Sequence, residues 1–328
     1  MIFKRVLSAF GAGGLSVDTL LSNPNTRPGS LLDGSVHLCG GEVDADIDQI
    51  VVALVTRVEI EAGDIERNAF VEFHRMPVAG RLWLPAGGAL SIPFQLPVPW
   101  EAPITHVHGQ QLYGMTLGLQ THVAVDRAVD KGDLDAVAVH PLPVQERILE
   151  AFARLGFRFK HADLEHGYIH GVQQTLPFYQ EIEYFAAPQY AHSVNEIELT
   201  FVANPYTVEV ILEADKRGGI FTSGHDTYGR YVVEHGSADQ IDWTQQVDEW
   251  LHQLIAGRGA HGHHSPGYHS PYSPPAPHGH HGYGGGSGSG LGSGIAGAVA
   301  GGALGFAGGL IAGEVLEEVF DDVFSDEE

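Results

Sequence analysis

Histidine is the residue type whose number and spacing in this sequence most readily suggest chemistry. His106 and His108 are two positions apart, so on a strand they share one face, and with His122 or His140 they can form a zinc-type ligand set. No cysteine or acidic ligand stands beside them at a diagnostic spacing, and Pro103 indicates an irregular edge. We therefore expect solvated histidines at these positions.

A second group of histidines lies towards the C-terminus, where imidazole nitrogens can bind Zn²⁺ or Ni²⁺ adventitiously. Its members are His261, His263, His264, His278, His280 and His281. They belong to residues 257–294, which are rich first in His, Pro and Tyr and then in Gly and Ser. Such a composition predicts a disordered linker without fixed ligand geometry, so we expect no physiological metal and no cofactor.

The acidic stretch 130–135 and the single cysteine are the other candidates for site chemistry. Asp130, Asp133 and Asp135 can coordinate Ca²⁺, but the EF-hand spacing is not matched. A solvated hinge over residues 131–138 is the favoured interpretation, with Asp130 before it; its named residues are Asp130, Lys131, Gly132, Asp133 and Asp135.

Cys39 shares a strand face with His37, yet its apolar surroundings predict a core position rather than a nucleophile.

Glycines repeat every fourth residue near the C-terminus, which on a helix places them on one face as a smooth groove. They are Gly297, Gly301, Gly305, Gly309 and Gly313. An apolar stripe that includes Phe320 and Phe324 follows, opposite an acidic face. We predict that this glycine zipper and its amphipathic continuation (residues 295–328) mediate self-association, partner binding or membrane contact; the alternative is a disordered Gly/Ala linker.

The overall charge excludes some function classes. The formal net charge is −24 at pH 7, so phosphate backbones repel the chain and nucleic-acid binding is not expected.

One cysteine cannot form an internal disulfide, and the weakly apolar start is a poor signal peptide. These features predict a cytoplasmic protein, membrane-associated only through residues 295–324. The sequence contains no G-x-S-x-G motif, no G-x-G-x-x-G after a predicted strand and no P-loop, so no catalytic residue is assigned and the chain is predicted not to be an enzyme.

Short apolar runs separated by turn residues predict a mainly β protein with two β-sandwiches in tandem. In the first half, strands are expected at Val17–Leu21, Ser35–Leu38, Ile50–Ile60, Ala69–His74, Leu90–Leu96 and Gln111–Val125. In the second half, they are expected at Phe157–Leu164, Gly167–Gln174, Tyr179–Tyr184, Glu196–Val202, Val208–Ala214 and Tyr231–Glu234. Helical periodicity marks Gln145–Leu155 and Trp243–Ile255, the second with Asp242 as N-cap. The predicted units are a sandwich over 1–130, the hinge, and a sandwich with the amphipathic helix over 139–256.

Ordered motifs over about residues 1–255 resemble the bacterial sporulation-control protein family, which has an arrestin-like fold. They are Gly11-Ala-Gly-Gly-Leu-Ser-Val-Asp-Thr19, Arg27-Pro-Gly29, Asp130-Lys-Gly-Asp-Leu-Asp135, Gln173 to Tyr184, and Glu196 to Val210 with Asn204-Pro205. The resemblance implies two arrestin-like (immunoglobulin-like) sandwiches and a non-catalytic regulatory role through an unknown protein partner. It supplies no set of site residues. A ligand- or metal-binding β-sandwich and a membrane-attached structural protein remain the alternatives.

Overall fold

The computed structural model describes residues 14–62, 65–126, 128–214 and 228–260 of the 328-residue chain. Residues 261–294 of the predicted linker, its histidines, the glycine zipper, Phe320 and Phe324 all lie outside these ranges. Residues 257–260 were predicted as the start of the linker, and this is wrong because they belong to the helix Trp243–Ala260. Within these ranges, neither helix combines the length and the hydropathy of a transmembrane span.

Strands dominate the described ranges. In the first half they are β1 (Ser16–Leu21), β2 (Asn25–Thr26), β3 (Leu31–Cys39), β4 (Ala45–Ala62), β5 (Ile65–Ala79), β6 (Leu82–Leu84), β7 (Ala89–Pro97), β8 (His106–Val107), β9 (Gln110–Gln111), β10 (Leu117–Val125), β11 (Lys131–Ala136) and β12 (Ala138–Val139). The second half contains β13 (Arg158–His166), β14 (Phe178–Phe185), β15 (Glu196–Ala203), β16 (Thr207–Ala214) and β17 (Tyr228–Glu234), with helices α1 (Pro143–Arg154) and α2 (Trp243–Ala260). The mainly β prediction is confirmed.

The first half is a sandwich of two sheets. A three-stranded sheet in the order β1-β3-β7 packs on the sheet that contains β4 and β10, and the two share one apolar core. Val36 from β3, Leu54 from β4 and Leu119 from β10 are fully buried in it. β7 carries Pro93 and Pro97 and lies at the edge of its sheet, as expected for prolines that cannot donate to a central ladder.

The second half differs from the expected second sandwich. Its strands β13 to β17 form one antiparallel sheet, and α1 and α2 close the main core on one face of that sheet. Phe152 of α1 stacks on Tyr184 of β14 at 4.9 Å, and Trp250 of α2 stacks on Tyr231 of β17 at 4.4 Å. In the second half, helices with large aromatic side chains thus cover this face of the sheet, whereas in the first half a second sheet covers it.

The two halves share a sheet. β4 is 18 residues long, and its first part pairs with β10 while its last part meets β13. The result is a ten-stranded sheet in the order β11-β10-β4-β13-β14-β15-β16-β17, with β5 and β6 also on β4. β4 and β13 run parallel and pair at Glu59 and Glu165. This single pair is the point where the halves meet within the sheet.

The segment predicted as a solvated hinge is a strand. Residues 131–136 form β11, which pairs with β10 from Gly118 to Val123, and β12 then pairs in parallel with β2. Asp133 accepts a hydrogen bond from the backbone N–H of Thr19 at 2.6 Å, which ties β11 to β1. The charged residues therefore close the first sandwich, because β11 is held by two neighbours and is not a free linker.

Local signals account for both helices and for two departures from the expected strands. Asp242 accepts hydrogen bonds from the N–H groups of Thr244 and Gln245, so it caps α2 as predicted. Residues 167–174, expected as a strand, instead form a loop. The Gln174 side chain donates hydrogen bonds to the backbone carbonyls of Gly167, Leu176 and Phe178. In a strand, these carbonyls would accept hydrogen bonds from a neighbouring strand. The expected strand Gln111–Val125 is divided into β9 and β10.

Candidate functional site at the junction of the halves

Glu101 fastens a loop of the second half to the first. Its carboxylate accepts hydrogen bonds from the N–H of Thr175 at 2.8 and 2.9 Å, from the hydroxyl of Thr175 at 2.8 Å and from the N–H of Leu176 at 3.0 Å. Charge-assisted bonds of this kind are stronger than neutral ones. One side chain therefore orders the loop that precedes β14.

A buried amide makes a second connection beside it. The Gln180 side chain accepts from the N–H of Ile104 at 2.9 Å and donates to the carbonyl of the same residue at 2.7 Å, so both its polar ends are satisfied. A cavity of about 10 Å³ lies here, between residues 100–104 and the side chains of Phe178 and Phe201. That volume accommodates about one water molecule and is too small for a metabolite.

The β8–β9 hairpin makes a third connection through its end. Tyr113 accepts a backbone hydrogen bond from the N–H of Ala162 at 3.1 Å, and its ring meets His161 edge to face at 5.6 Å. Gly114 follows with a φ of +95°, and a Cβ at that position would lie 2.0 Å from the carbonyl oxygen of Ala162. Only glycine allows the hairpin to approach β13 this closely.

Carboxylates crowd one face of the shared sheet next to these contacts. We call the set the acidic face; its members are Glu59, Asp163, Glu165, Glu181, Glu183, Glu198 and Glu213. Asp163 is directly opposite Glu181, and Glu198 is opposite both Glu183 and Glu213. Like charges in opposed positions repel, so this arrangement costs stability unless protons or cations compensate it.

Burial shifts the pKa of two members of the acidic face, Asp163 and Glu181. It raises the pKa of Asp163 to about 6, even though the charge of His161 acts in the opposite direction. Burial, followed by the charges of Glu198 and Asp163, raises the pKa of Glu181 well above its usual range. Two groups of side chains in this region bring ligand atoms within 4.8 Å of one another, and Asp163 belongs to both: His161 with Asp163 and Glu183, and Glu59 with Asp163 and Glu165.

Known proteins are similar to this chain in sequence and in architecture. Residues 3–218 match the family model described as "SpoOM protein". This chain belongs to the SpoOM family. The sporulation-control protein Spo0M of Bacillus subtilis (strain 168) is 29% identical over 258 residues, which cover 77% of this chain and 97% of that protein. The crystal structure of Spo0M from Bacillus subtilis aligns with a TM-score of 0.67 and 28% identity, over 74% of this chain and 99% of the other.

The histidines that sequence spacing groups together are separated in this SpoOM-family chain. The rings of His106 and His140 lie 5.7 Å apart, but His140 Nε2 is 2.8 Å from the Asn25 side-chain oxygen, and His108 lies in the hairpin turn with a φ of 52°. His122 lies elsewhere and contacts Glu72 at 2.6 Å. His108 Nδ1 lies 3.7 Å from Glu146 Oε1. The four histidines do not form one ligand set.

Cys39 occupies a different environment from the one predicted. It is exposed at the end of β3, whereas its apolar neighbours in sequence predict a core position. The buried residues of β3 are Leu32, Gly34, Val36 and Leu38, so Cys39 and His37 lie on the opposite, outer face. The prediction that they share a face is correct, and the prediction of a core thiol is wrong because the strand exposes its odd positions.

The acids of the predicted hinge are largely buried, which their charge in the sequence did not indicate. Burial, and then the charges of Asp133 and Asp18, raise the pKa of Asp135 to about 8. Burial also raises the pKa of Asp133. The junction residues Glu101, Gln180 and Gly114 were not identified from sequence, because their partners lie 48 to 76 positions away.

Proposed function

We propose that the chain is a non-catalytic regulatory adaptor of the sporulation-control type, which acts through contact with another protein. The observation that carries the proposal is that the shared architecture extends over nearly the whole of the Bacillus subtilis sporulation-control protein. The shared sheet and the Glu101 and Gln180 bonds support the same proposal, because they hold the two halves as one scaffold with a fixed surface.

Thr105 and Cys39 each lie near a histidine in the sequence, and neither is arranged as a nucleophile. The Thr105 hydroxyl contacts His106 at 2.9 Å, but Thr105 is 1% exposed and its oxygen also accepts the N–H of Val139. This hydroxyl holds β12 in place and is out of reach of a substrate. Cys39 is accessible, and among the described residues no base is recorded in contact with its sulfur.

Rigidly presented tyrosines are the side chains that we propose meet the partner. Tyr206 is 81% exposed at the tip of the β15–β16 turn, and the Asn204 side chain fixes that turn by accepting the N–H groups of Tyr206 and Thr207. Tyr113 is 74% exposed on the hairpin held by Gly114. Exposed aromatic side chains on ordered turns bind partners with little loss of conformational entropy.

Residues 261–328 provide a second contact in this proposal. The glycine zipper and the stripe with Phe320 and Phe324 are suited to self-association, to a helical partner, or to shallow membrane contact from the cytoplasm. The acidic residues 314–328 oppose anionic lipid, so a protein target is favoured.

Complementation in the native host tests the proposal. A strain that lacks the gene should show altered developmental regulation, and the wild-type gene should restore it. We expect Cys39→Ala to restore it equally and a double Tyr113→Ala, Tyr206→Ala variant to fail although it accumulates normally. Failure of Cys39→Ala at normal protein levels would instead favour an enzyme. Full rescue by the double tyrosine variant would remove these side chains from the proposal.

A further inference from the structure

We propose that residues 1–10 of this chain dock on an exposed surface at one end of the first sandwich. We call it the Trp83 surface; its members are Glu42, Val43, Asp44, Asp46 and Trp83. The proposal is independent of the adaptor function and of residues 261–328. It gives the apolar and basic start of the sequence, which lies outside the described ranges, a place on the folded protein.

The described chain begins beside this surface. Ser16, the first residue of β1, is opposite Cys39, the last residue of β3, and Cys39 is opposite Ala89 of β7. Residues 40–44 follow β3, and residues 85–88 precede β7, at that same end of the sheet. Adjacent strands are about 4.8 Å apart, so the backbone at Ser16 lies about 10 Å from that of Ala89. The segment before residue 14 is therefore attached next to the Trp83 surface.

Trp83 is exposed on an ordered support. Its side chain is opposite Asp46 in the β4–β6 pair and is 58% exposed, and Val43 is 74% exposed. Three hydrogen bonds join the two segments that form the surface: Gly40 N–H to the Gly88 carbonyl at 2.7 Å, Gly87 N–H to the Gly41 carbonyl at 2.8 Å, and Ala86 N–H to Asp44 Oδ1 at 2.9 Å. An exposed indole on such a support is suited to binding, because covering it costs little conformational entropy.

The Trp83 surface also carries excess negative charge. Its three acids are exposed, and the Asp126 N–H donates to the Asp46 carbonyl at 2.8 Å, which places a fourth acid beside them. Arg81 lies in the same region but pairs with Asp48 at 2.7 Å. Even when Arg127, which is outside the described ranges, is counted with Arg81, the acids outnumber the bases here by five to two. An occupant should therefore be both apolar and basic.

Residues 1–10 have this chemistry. Lys4 and Arg5 are preceded by Ile2 and Phe3 and followed by two further apolar residues. The apolar side chains can cover the indole, and the two cations can pair with the acids or lie over the ring. Residues 11–14 are Gly-Ala-Gly-Gly and span up to about 13 Å when extended, so they can link β1 to a segment on the Trp83 surface.

Other segments outside the described ranges fit the surface less well. Residues 261–328 contain no lysine or arginine and end in an acidic stretch, which the acids of the surface would repel. Lys216 and Arg217 lie between β16 and β17, at the far end of the ten-stranded sheet from β11 and β10. Residues 1–10 of a second copy have the same chemistry, so docking between two chains is one outcome of the test.

Carbodiimide cross-linking of the dilute full-length chain tests the contact. The reagent joins an amine to a carboxylate only where the two groups meet, so we expect mass spectrometry to find Lys4 joined to Glu42, Asp44 or Asp46. Trp83→Ala removes the apolar anchor and should lower the yield of this product at least about threefold. Tyr206→Ala is the matched control, because it removes another exposed aromatic side chain, in the second half, and should leave the yield unchanged.

Tryptophan fluorescence gives a second readout. Trp243 and Trp250 are buried, so acrylamide quenching responds strongly to the exposure of Trp83. We expect acrylamide to quench the double variant Lys4→Glu, Arg5→Glu more strongly than the wild type, because its Trp83 is uncovered. In a Trp83→Ala background, the same two charge changes should leave quenching unaltered. Circular dichroism checks that all variants keep the wild-type unfolding midpoint.

Three results would overturn the proposal. The first is equal cross-link yield in the wild type and Trp83→Ala, or equal quenching in the wild type and the double variant. The second is a Lys4 cross-link between chains in a mixture of ¹⁵N-labelled and unlabelled protein, which would assign the surface to a second copy. The third is wild-type quenching that falls only when anionic phospholipid vesicles are added, which would assign residues 1–10 to lipid.

Discussion

Glu101 and Thr175 are 74 residues apart in the chain, and three hydrogen bonds join them: both carboxylate oxygens accept the Thr175 N–H, and one also accepts its hydroxyl. The contact involves only two side chains and one N–H group, but it connects two distant parts of the sequence. It orders residues 167–177, the loop that leads into β14, and so helps to position the strand that carries part of the acidic face.

Glu101→Gln tests the strength of this connection. The amide keeps one acceptor oxygen but turns the other into a donor that faces N–H groups, so we expect unfolding to require about 1–3 kcal/mol less free energy. Urea unfolding followed by tryptophan fluorescence measures the change. Glu150→Gln is the control, because Glu150 makes only exposed pairs with Arg147 and Arg154 and should cost less than about 0.5 kcal/mol. Equal losses in the two variants would contradict the role of Glu101.

Gly114→Ala tests the close approach of the hairpin to β13. An alanine at this position would have to keep a φ near +95°, and its methyl group would collide with the Ala162 carbonyl oxygen. We therefore expect the free energy of unfolding to fall by more than about 3 kcal/mol, or the chain to fail to fold. Gly109→Ala is the matched control, because its φ is +78° but nothing lies within 4 Å of the added Cβ. We expect it to cost about 1 kcal/mol, from backbone strain alone. Similar losses at both positions would show that the packing is unimportant.

Asp135 should make stability depend on pH. Its pKa is raised from 3.8 to about 8 in the folded chain, so between about pH 4 and 8 the folded state binds a proton that the unfolded state does not. Stability therefore falls as pH rises through this interval. Asp135→Asn should be about 1–3 kcal/mol more stable than the wild type at pH 8.5 and similar to it at pH 4.5.

Urea titrations at the two pH values measure this difference. Asp33→Asn provides the control, because Asp33 is exposed and bonds the Gln95 side chain. The loss of slope in Asp135→Asn is measured against this variant. A wild-type slope that survives in Asp135→Asn would assign the effect to another group.

A chain that ends at Ala260 should fold by itself. The apolar side of α2, which includes Trp243, Val247, Trp250 and Leu251, completes the core of the second half, and α2 ends at residue 260. We expect cooperative unfolding with a midpoint close to that of the full-length protein, measured by circular dichroism and fluorescence. A molten or aggregated product would place part of the folding unit in residues 261–328.

Sequence patterns predicted the elements whose signals are local. The Asp242 cap and the apolar stripe of α2 were identified because the side chains that make them lie within a few turns of one helix. Strand periodicity likewise located β3, β14, β15 and β16. These signals need no knowledge of the partner that each element meets.

The features that the sequence did not reveal depend on distant partners. Asp133 and Asp135 suggested a solvated hinge, because charge in sequence does not show that β10 and β1 lie on either side of them. The alternating acids of β13 to β16 have the pattern of a solvent-exposed face. Register, which is set by the whole sheet, places Asp163 opposite Glu181 and turns that pattern into a partly buried cluster.

Site-specific photo-crosslinking in living cells of the native host tests whether a partner protein binds at Tyr206. A photoreactive residue is placed at Tyr206, or at Val129 as a control that is 80% exposed in the loop before β11. We expect one discrete crosslinked protein from position 206, identified by mass spectrometry, and none above background from position 129. The same diffuse background from both positions would contradict an adaptor that binds its partner through Tyr206.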